Sequence, residues 1–429
     1  MHALTLSPCS HLRGTLAVPG DKSISHRYVL LGGLASGVTE IRQLSPGADV
    51  AASLACIAGL GADVTRHADG TVTITGRGAA GLRTPAAPLD CLNSGTTMRL
   101  LAGILAGYPV TATMIGDASL SRRPMTRVIR PLSAMGARIE AHDGRAPLVV
   151  QGGPLQAIDW TPEVPSAQIK SALMLAGLRA TGHTRIHEPA PTRDHSERAF
   201  PLFGLQSETV GTTVTVSGGQ QAVAPSAPVT VPGDPSSAAV WAVAAAALPG
   251  AVVTLEHVGL NPHRLGFVSA LQRMGAEVTV SVESYLGSEP VGRLSVVHRD
   301  RVDTTITADE VPGLIDELPI LAACAAHGRR LEVRGAEELR VKESDRITAL
   351  VTGLRALGVE AEEFADGFAI DGRARRATGG VADACGDHRL VMAFTLVGLG
   401  ALGPTHITDA DAVAVSYPGF LADLATLQA

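Results

Sequence analysis

The sequence predicts an α/β protein of two similar halves, each containing three repeats of roughly 70 residues. First, Val-Pro-Gly-Asp at residues 18–21 recurs at residues 231–234, and each copy leads into an apolar stretch. Second, five apolar-periodic segments end in a glycine, and the spacings between these glycines are 75, 68, 71 and 83 residues. The glycines are Gly61, Gly136, Gly204, Gly275 and Gly358.

Each glycine is followed by a short alternation of apolar and polar residues, as at residues 60–64. An apolar-periodic segment, a glycine and an alternation are typical of a helix, its C-cap and a strand. A last apolar segment at residues 417–427 reaches a comparable position. This order of elements is common in any α/β protein, but its regular spacing favours a true repeat of six units, three on each side of residue 231.

Composition restricts the classes of function. Of the 429 residues, 45% are hydrophobic and 3% aromatic, so the interior is expected to consist of Ala, Val, Leu and Ile. The net charge of -6 gives no general attraction to nucleic acid or to an anionic membrane, but it does not exclude a local basic cleft. The most apolar run, residues 238–253, is too short to span a bilayer and is predicted to be a buried helix.

Cysteine usage and the first residues favour the cytoplasm. The five cysteines are scattered, odd in number and free of any Cys-x-x-Cys pair, which suits a reducing compartment. Residues 1–8 show no signal peptide. His183 and His187 have the spacing of a helical metal site, but no glutamate is adjacent and a structural role is preferred. The sequence therefore predicts no metal and no cofactor.

Many predicted helices begin with residues suited to anions, because a helix N-terminus exposes free N–H groups and a positive dipole end. If these ends converge, they form an anion-binding cleft between the two halves. The helix starts lie at residues 22–23, 93–97, 122–124, 166–168, 342–346 and 387–389.

Lys22, Ser23 and Arg27 are the leading candidates, because only the first copy of the repeated segment carries charge there. The second copy has Pro235 and Val240 at the positions of Lys22 and Arg27. Lysine and arginine can bind phosphate or carboxylate. The alternative is ordinary capping with a solvated lysine and arginine.

Four further residues are suited to binding an anionic or hydroxylated ligand. Gly95 would let a ligand approach the backbone closely, and Arg123 could place a guanidinium over an anion, with Pro124 as the first helical residue. Ser166 and Gln168 suit hydroxyls or phosphate oxygens. Each residue also has a simpler interpretation as a turn, a cap or a solvated helix start.

Asp316 and Glu343 are the candidate acid–base groups. Asp316 precedes an apolar run, so its first interpretation is a helix cap, but it could also take a hydroxyl proton. Glu343 lies between Lys342 and Arg346 in a charge cluster. Such clusters are usually solvated faces, yet the same arrangement sets a proton-transfer group beside an anionic substrate.

Seven motifs then stand in order along the chain. As an ordered set, they resemble the 5-enolpyruvylshikimate-3-phosphate (EPSP) synthase family from about residue 10 to the C-terminus. The motifs are Gly-Asp-Lys-Ser-Ile-Ser-His-Arg at 20–27, Asn-Ser-Gly-Thr-Thr-Met-Arg at 93–99, Arg-Pro at 123–124, Ser-Ala-Gln at 166–168, Asp-Glu at 316–317, Arg-Val-Lys-Glu-Ser-Asp-Arg at 340–346 and Asp-His-Arg at 387–389.

The resemblance implies a two-domain inside-out α/β barrel of six βαβαββ repeats, three per domain, with helices inside and sheets outside. One domain is expected at residues 19–232, and the other at residues 1–18 plus 233–429, with the active site in the cleft between them. Closure of the domains on ligand would screen the chemistry from water.

The reaction implied by the resemblance transfers the enolpyruvyl group of phosphoenolpyruvate to the 5-hydroxyl of shikimate 3-phosphate and releases phosphate, in the shikimate pathway to chorismate and aromatic amino acids. The implied partners are these two small molecules, with no cofactor, no nucleic acid and no membrane. The family is expected to be a monomeric cytoplasmic enzyme and a target of glyphosate.

The resemblance also assigns roles by motif position. Asp316 resembles the base for the 5-hydroxyl, Glu343 resembles the group that moves the methylene proton, and Lys22 is placed in both steps. The implied contacts of shikimate 3-phosphate are Lys22, Ser23, Arg27, Ser166, Gln168, Asp316 and Lys342. The implied contacts of phosphoenolpyruvate are Lys22, Gly95, Arg123, Gln168, Arg346 and Arg389.

Three positions depart from part of the family. Val415 stands where some relatives have a lysine before Ser-Tyr-Pro, and Ala167 stands where many have a serine. The segment at residues 193–198 differs between branches. Gly95 matches members that leave room for glyphosate, so inhibition competitive with phosphoenolpyruvate is predicted.

Three other functions compete with this interpretation. An enolpyruvyltransferase acting on UDP-N-acetylglucosamine typically has a cysteine on a loop near Arg123, and residues 110–130 contain none. A non-catalytic anion-binding protein would not need Asp316 and Glu343. A phosphosugar isomerase fits the anion-rich turns but leaves that carboxylate pair unexplained.

Overall fold

The computed structural model of the chain describes residues 3–9, 11–78 and 81–428 and divides into two compact units. The C-terminal unit contains Met1–Pro19, Pro232–Tyr285 and Pro290–Ala429, and the N-terminal unit contains Gly20–Val231 and Leu286–Glu289. The divisions expected from the sequence, at 18/19 and 232/233, differ from these by one residue.

Leu286–Glu289 were expected in the other domain. They form the tip of a long hairpin, and their polar contacts explain why they group with the N-terminal unit. Arg198 donates to the Ser288 carbonyl at 2.5 Å, and His195 Nδ1 lies 2.7 Å from Glu289 Oε1 with both side chains buried. No local sequence pattern predicts these contacts of Ser288 and Glu289, because their partners lie about 90 residues away in the chain.

Helices are formed throughout the described residues. The α-helices are α1 (Lys22–Leu34), α2 (Ala48–Gly59), α3 (Gly95–Ala106), α4 (Thr126–Ala134), α5 (Ala167–Gly177), α6 (His195–Ala199), α7 (Pro235–Ala247), α8 (Gly266–Arg273), α9 (Leu318–Ala325), α10 (Arg346–Ala356), α11 (His388–Leu399) and α12 (Phe420–Gln428). The 3-10 helices are Leu120–Arg122, Phe200–Phe203, Pro262–Arg264, Val311–Gly313, Glu337–Val341 and Ala410–Val415.

Each unit has three main sheets, and in each of the six a parallel pair of strands is extended by antiparallel pairing. In the N-terminal unit, the strands of the first sheet lie in the order Val229–Thr230, Ser36–Arg42, Val72–Arg77, Asp63–Arg66, and those of the second in the order Leu89–Asp90, Thr111–Ile115, Arg145–Gln151, Arg138–His142. The strands of the third lie in the order Asp159–Trp160, His183–His187, Thr213–Ser217, Glu208–Val210. A separate small sheet pairs Leu155–Gln156 with Ala180–Thr181. In the C-terminal unit the strand orders are Glu277–Leu286, Glu289–Val297, Val252–Gly259, Arg13–Ala17; Thr304–Ile306, Arg330–Val333, Gly367–Asp371, Glu360–Phe364; and Leu4–Leu6, Thr405–Thr408, Gly380–Asp383.

Three helices form the centre of each unit: α1, α3 and α5 in one, and α7, α9 and α11 in the other. Every residue of α7 is buried, as predicted for this apolar run. Small residues let these helices approach closely: a Cβ added at Gly103 of α3 would lie 2.2 Å from the Ala172 carbonyl oxygen of α5. The predicted arrangement of six repeats, three in each unit with helices inside and sheets outside, is confirmed.

The five repeat glycines all have positive φ, between 68° and 104°, and strands begin within four residues of each. The predicted helix–glycine–strand order is thereby confirmed, although at Gly204 only the short α6 and a 3-10 helix precede the glycine. An L-residue with a side chain is disfavoured in this conformation, which explains why glycine recurs there.

One local prediction was wrong: Pro124 is not the first helical residue, because a 3-10 helix ends at Arg122 and α4 begins only at Thr126. His183 and His187, for which a structural role was preferred, lie on a strand, and their ring Nδ1 atoms lie 3.0 Å from the hydroxyls of Ser217 and Thr213. Among the described residues, no helix is both long enough and apolar enough to cross a membrane.

Candidate active site

The central helices of the N-terminal unit begin with the predicted candidates. Asp21, Ser94 and Ser166 are the N-caps of α1, α3 and α5, and their side chains accept from backbone N–H groups at 2.9, 3.1 and 3.4 Å. Because each cap satisfies one N–H and leaves others at the helix end, Lys22 and Gly95 stand at helix N-termini suited to anions.

Lys22 forms an ion pair that sequence analysis missed. Its Nζ lies 2.9 Å from Asp49 Oδ2 on α2, and the two side chains are 19% and 8% exposed. Asp49 is 27 positions away, in a helix start with no anion-binding pattern of its own, so only the packing of α1 against α2 reveals it. The pair keeps the ammonium in place.

Arg27 is buried and held by three oxygen acceptors. It donates to Ser196 Oγ at 2.8 Å, to the Ser23 carbonyl at 2.8 Å and to Ser171 Oγ at 2.6 Å. Burial lowers the pKa of Arg27 to about 10, and Glu197 opposes this shift. Arg27 thus stays charged at neutral pH on a rigid support.

Arg99 joins two of the predicted residues and was not itself predicted. It donates to Gln168 Oε1 at 2.7 Å and to the Pro124 carbonyl at 3.2 Å, and Gln168 donates to Thr96 Oγ1 at 2.9 Å. Arg99 is the last residue of the motif at residues 93–99, in which Gly95 was the predicted site residue. The contacts connect the start of α5 to α3.

Gly95 faces two guanidinium groups. A Cβ added there would lie 2.7 Å from Arg99 Nη1 and 3.3 Å from Arg123 Nη1. Arg123 is 7% exposed and donates to Asn93 Oδ1 at 2.7 Å. Because Gly95 has no side chain, two cations can lie directly against the start of α3, as expected of a position that an anionic ligand approaches.

In the C-terminal unit, Arg346 and Asp387 form a buried pair. Arg346 Nε donates to Asp387 Oδ2 at 2.7 Å, and the residues are 1% and 0% exposed. Asp387 also caps α11 by accepting from the Arg389 N–H at 2.9 Å. Burial alone would lower the pKa of Arg346, but Asp387 and other carboxylates raise it overall, so this guanidinium is a fixed charge.

Asp316 lies between two arginines. Its Oδ1 is 3.6 Å from Arg346 Nη1 and its Oδ2 is 3.9 Å from Arg389 Nη2. The predicted capping role is absent here: α9 begins after Glu317 without a side-chain cap, and Glu317 instead bonds Ser236 and lies 3.8 Å from Arg389. A carboxylate that faces two cations is suited to chemistry.

Glu343 accepts a hydrogen bond from Arg346 Nη2, so Arg346 joins it to Asp316 and Asp387. Beside them, burial lowers the pKa of the Lys342 ammonium, with Asp316 opposing the shift and Arg346 adding to it. The structure thus brings Asp316, Lys342, Glu343, Arg346 and Arg389 into one cluster.

At the Val415 position, the chain forms the end of a 3-10 helix, Ala410–Val415, and the side chain is half-buried. Ser196 belongs to the segment at residues 193–198, from which no site residue was predicted. Its hydroxyl accepts a hydrogen bond from Arg27, as described above.

Each unit therefore contains one cluster of charged residues. The cluster around Lys22, Arg27 and Arg123 in the N-terminal unit offers cations for anionic groups, and the cluster around Asp316, Glu343 and Arg346 in the C-terminal unit adds carboxylates for proton transfer.

The chain is similar to known proteins over nearly its whole length. The sequence profile of EPSP synthase (3-phosphoshikimate 1-carboxyvinyltransferase) matches residues 6–424. The 3-phosphoshikimate 1-carboxyvinyltransferase of Acidithiobacillus ferrooxidans is 49% identical over 415 residues, which cover 96% of this chain and 95% of that protein. The one of Geobacillus thermodenitrificans is 46% identical over 424 residues, which cover 97% of each.

Solved structures agree with this similarity. An EPSP synthase structure from Acinetobacter baumannii aligns with a TM-score of 0.86 at 39% identity, covering 99% of this chain and 97% of that one. The enolpyruvyl transferase NikO from Streptomyces tendae, at 18% identity, shares the fold with a TM-score of 0.77.

Proposed function

Because the chain belongs to the EPSP synthase (3-phosphoshikimate 1-carboxyvinyltransferase) family, we propose that the two clusters described above are the parts of its active site. The enzyme transfers the enolpyruvyl group of phosphoenolpyruvate to the 5-hydroxyl of shikimate 3-phosphate, giving 5-enolpyruvylshikimate 3-phosphate and phosphate. The observation that carries the assignment of residues is the joining of Asp316 and Glu343 through Arg346.

Asp316 takes the proton of the 5-hydroxyl, and Glu343 delivers a proton to the methylene carbon of phosphoenolpyruvate. The hydroxyl oxygen then bonds to the central carbon, giving a tetrahedral intermediate. Loss of phosphate, which takes up the proton held by Asp316, and of a methyl proton, which Glu343 receives, restores the double bond. Two carboxylates near fixed arginine charges support this division of labour.

The cations bind and orient the substrates. Lys22, Gly95, Arg123, Gln168, Arg346 and Arg389 contact phosphoenolpyruvate in this proposal. Lys22, Ser23, Arg27, Ser166, Gln168, Asp316 and Lys342 contact shikimate 3-phosphate. Support comes from the helix N-termini and from the hydrogen bonds that hold Arg27, Arg123 and Arg346 in fixed positions.

The function is tested by phosphate release from phosphoenolpyruvate with and without shikimate 3-phosphate. Release is expected only with shikimate 3-phosphate, together with the enolpyruvyl product. Release with UDP-N-acetylglucosamine instead would assign the enzyme to the other acceptor, and no release with either would exclude catalysis.

Gly95→Ala is expected to raise KM for phosphoenolpyruvate roughly tenfold, because the new methyl group displaces a guanidinium by contacts of 2.7 and 3.3 Å. Steady-state kinetics at saturating shikimate 3-phosphate measure this. Gly153→Ala is the matched control, since a Cβ there meets nothing within 4 Å. An unchanged KM would remove Gly95 from the phosphoenolpyruvate site.

Glyphosate is expected to inhibit competitively with phosphoenolpyruvate, because Gly95 matches family members that leave room for glyphosate and the cations Arg99 and Arg123 lie beside it. Initial rates at several concentrations of both compounds reveal the pattern. Full activity in millimolar-range glyphosate, or inhibition that phosphoenolpyruvate does not relieve, would contradict the prediction.

The enzyme further acts as a monomer in the cytoplasm, in line with what the family resemblance implies. Light scattering should give a mass near 44.0 kDa for the chain. A concentration-independent mass of twice that value would refute the monomer.

A further inference from the structure

A basic cavity lies in the C-terminal unit, away from the catalytic cluster. Its volume is about 580 Å³, within the range of small-molecule sites. Arg301, Arg373, Arg375, Arg376 and His327 are among its lining residues. No carboxylate is found among the described residues that line it.

The cavity lies at the C-terminal ends of the three central helices. Leu248, Ala326 and Gly400, the C-caps of α7, α9 and α11, all line it. Asp387 caps the other end of α11, whose 12 residues span about 18 Å. A ligand in this cavity would therefore leave the catalytic cluster untouched.

Two of the arginines are occupied by the protein itself. Arg373 pairs with Asp303 at 2.7 Å and with Asp371, and Arg376 donates to the Gly400 carbonyl at 2.8 Å. Arg301 and Arg375 are exposed, and their side chains have no hydrogen bond or ion pair within the described part of the chain. The charges of Arg301 and Arg375 are therefore available to a ligand.

Near the ends of α7 and α11, residues other than Arg301 and Arg375 already pair with backbone carbonyls. Arg329 donates to the Ala246 carbonyl at 2.9 Å, and His327 Nε2 lies 2.9 Å from the Leu396 carbonyl oxygen. Burial, and then the nearby cations Arg329, Arg301 and Arg376, lower the pKa of His327 to about 4. The charged side chains of the described residues that line the cavity are thus all arginines, although helix C-termini are negative.

The N-terminal unit has larger side chains at two of the corresponding positions. Tyr108 and Arg179 directly follow the C-caps of α3 and α5. The Arg179 guanidinium lies 5.0 Å from the centre of the Tyr108 ring. One residue beyond the C-caps of α9 and α11 stand His327 and Ala401, which are smaller. The repeat therefore does not require an open basic space here.

We propose that this cavity binds a small polyanion that carries a phosphate group or at least two carboxylates. Arg301 and Arg375 supply the charge, and the fixed Arg373 and Arg376 form the wall. The site is additional to the proposed active site and does not depend on the assignment of that site.

Isothermal titration with pyrophosphate and with citrate, as separate probes, tests the proposal on the full chain. The Arg301→Gln/Arg375→Gln variant is expected to weaken binding of at least one probe by about tenfold or more. Lys22→Gln/Arg123→Gln, which alters the proposed active site, and Arg66→Gln, an exposed arginine of the other unit, should retain it. The two probes distinguish phosphate from carboxylate recognition.

Binding that is absent in the natural chain, unchanged in Arg301→Gln/Arg375→Gln, or lost only in Lys22→Gln/Arg123→Gln would overturn the proposal. Since Arg301 and Arg375 are exposed, thermal unfolding without probe should match that of the natural chain. Arg375→Glu provides a second variant, and its reversed charge should weaken binding further.

Discussion

Glu343→Gln is expected to lower kcat by about 100-fold or more, while both substrates still bind. Glutamine keeps an oxygen that can accept from Arg346, so the contact seen in the structure is preserved. What disappears is the ability to carry a proton to and from the methylene carbon. The loss should therefore appear in turnover rather than in substrate affinity.

Single-turnover rates and equilibrium binding of both substrates separate these effects. Glu337→Gln is a matched control, because Glu337 is an exposed glutamate just before the same cluster, and its turnover should stay near that of the natural enzyme. Near-normal turnover of Glu343→Gln would remove Glu343 from proton transfer. Loss of binding instead would make it a substrate-positioning residue.

Arg346→Gln is expected to destabilise the chain by about 3–5 kcal/mol and to abolish most activity, because it leaves the fully buried Asp387 without its cation. Asp387 would keep its bond from Ser344 at 3.1 Å, which cannot neutralise its charge. Chemical denaturation measures the loss of stability, and the rate at saturating phosphoenolpyruvate measures the loss of activity.

A second substitution tests the cause. Arg346→Gln/Asp387→Asn removes the buried negative charge, and asparagine can still cap α11. The double variant should therefore be more stable than Arg346→Gln, while its activity should stay as low. Arg355→Gln, at an exposed position of the same helix, should change the unfolding free energy by less than about 0.5 kcal/mol. If the double variant is as unstable as the single one, the uncompensated charge is not the cause.

Local patterns predicted the elements well where a single residue type is required. The glycines that end the helices of each repeat need positive φ, and the run that became α7 is apolar on every face. Prediction failed where short-range patterns compete, as at Pro124, which stands two residues before α4. A proline suits the first turn of a helix but equally suits the loop before it.

The sequence alone determined the sixfold repeat, the central helices and most of the candidate residues, because helix starts and C-caps impose residue types at fixed positions in the chain. Only the tertiary structure decided which charges meet. Lys22 pairs with Asp49, Arg99 bridges to Gln168, and Arg346 joins Asp316, Glu343 and Asp387. These partners lie up to 69 residues apart in the chain, and the packing of separate helices, which no local pattern encodes, brings them together.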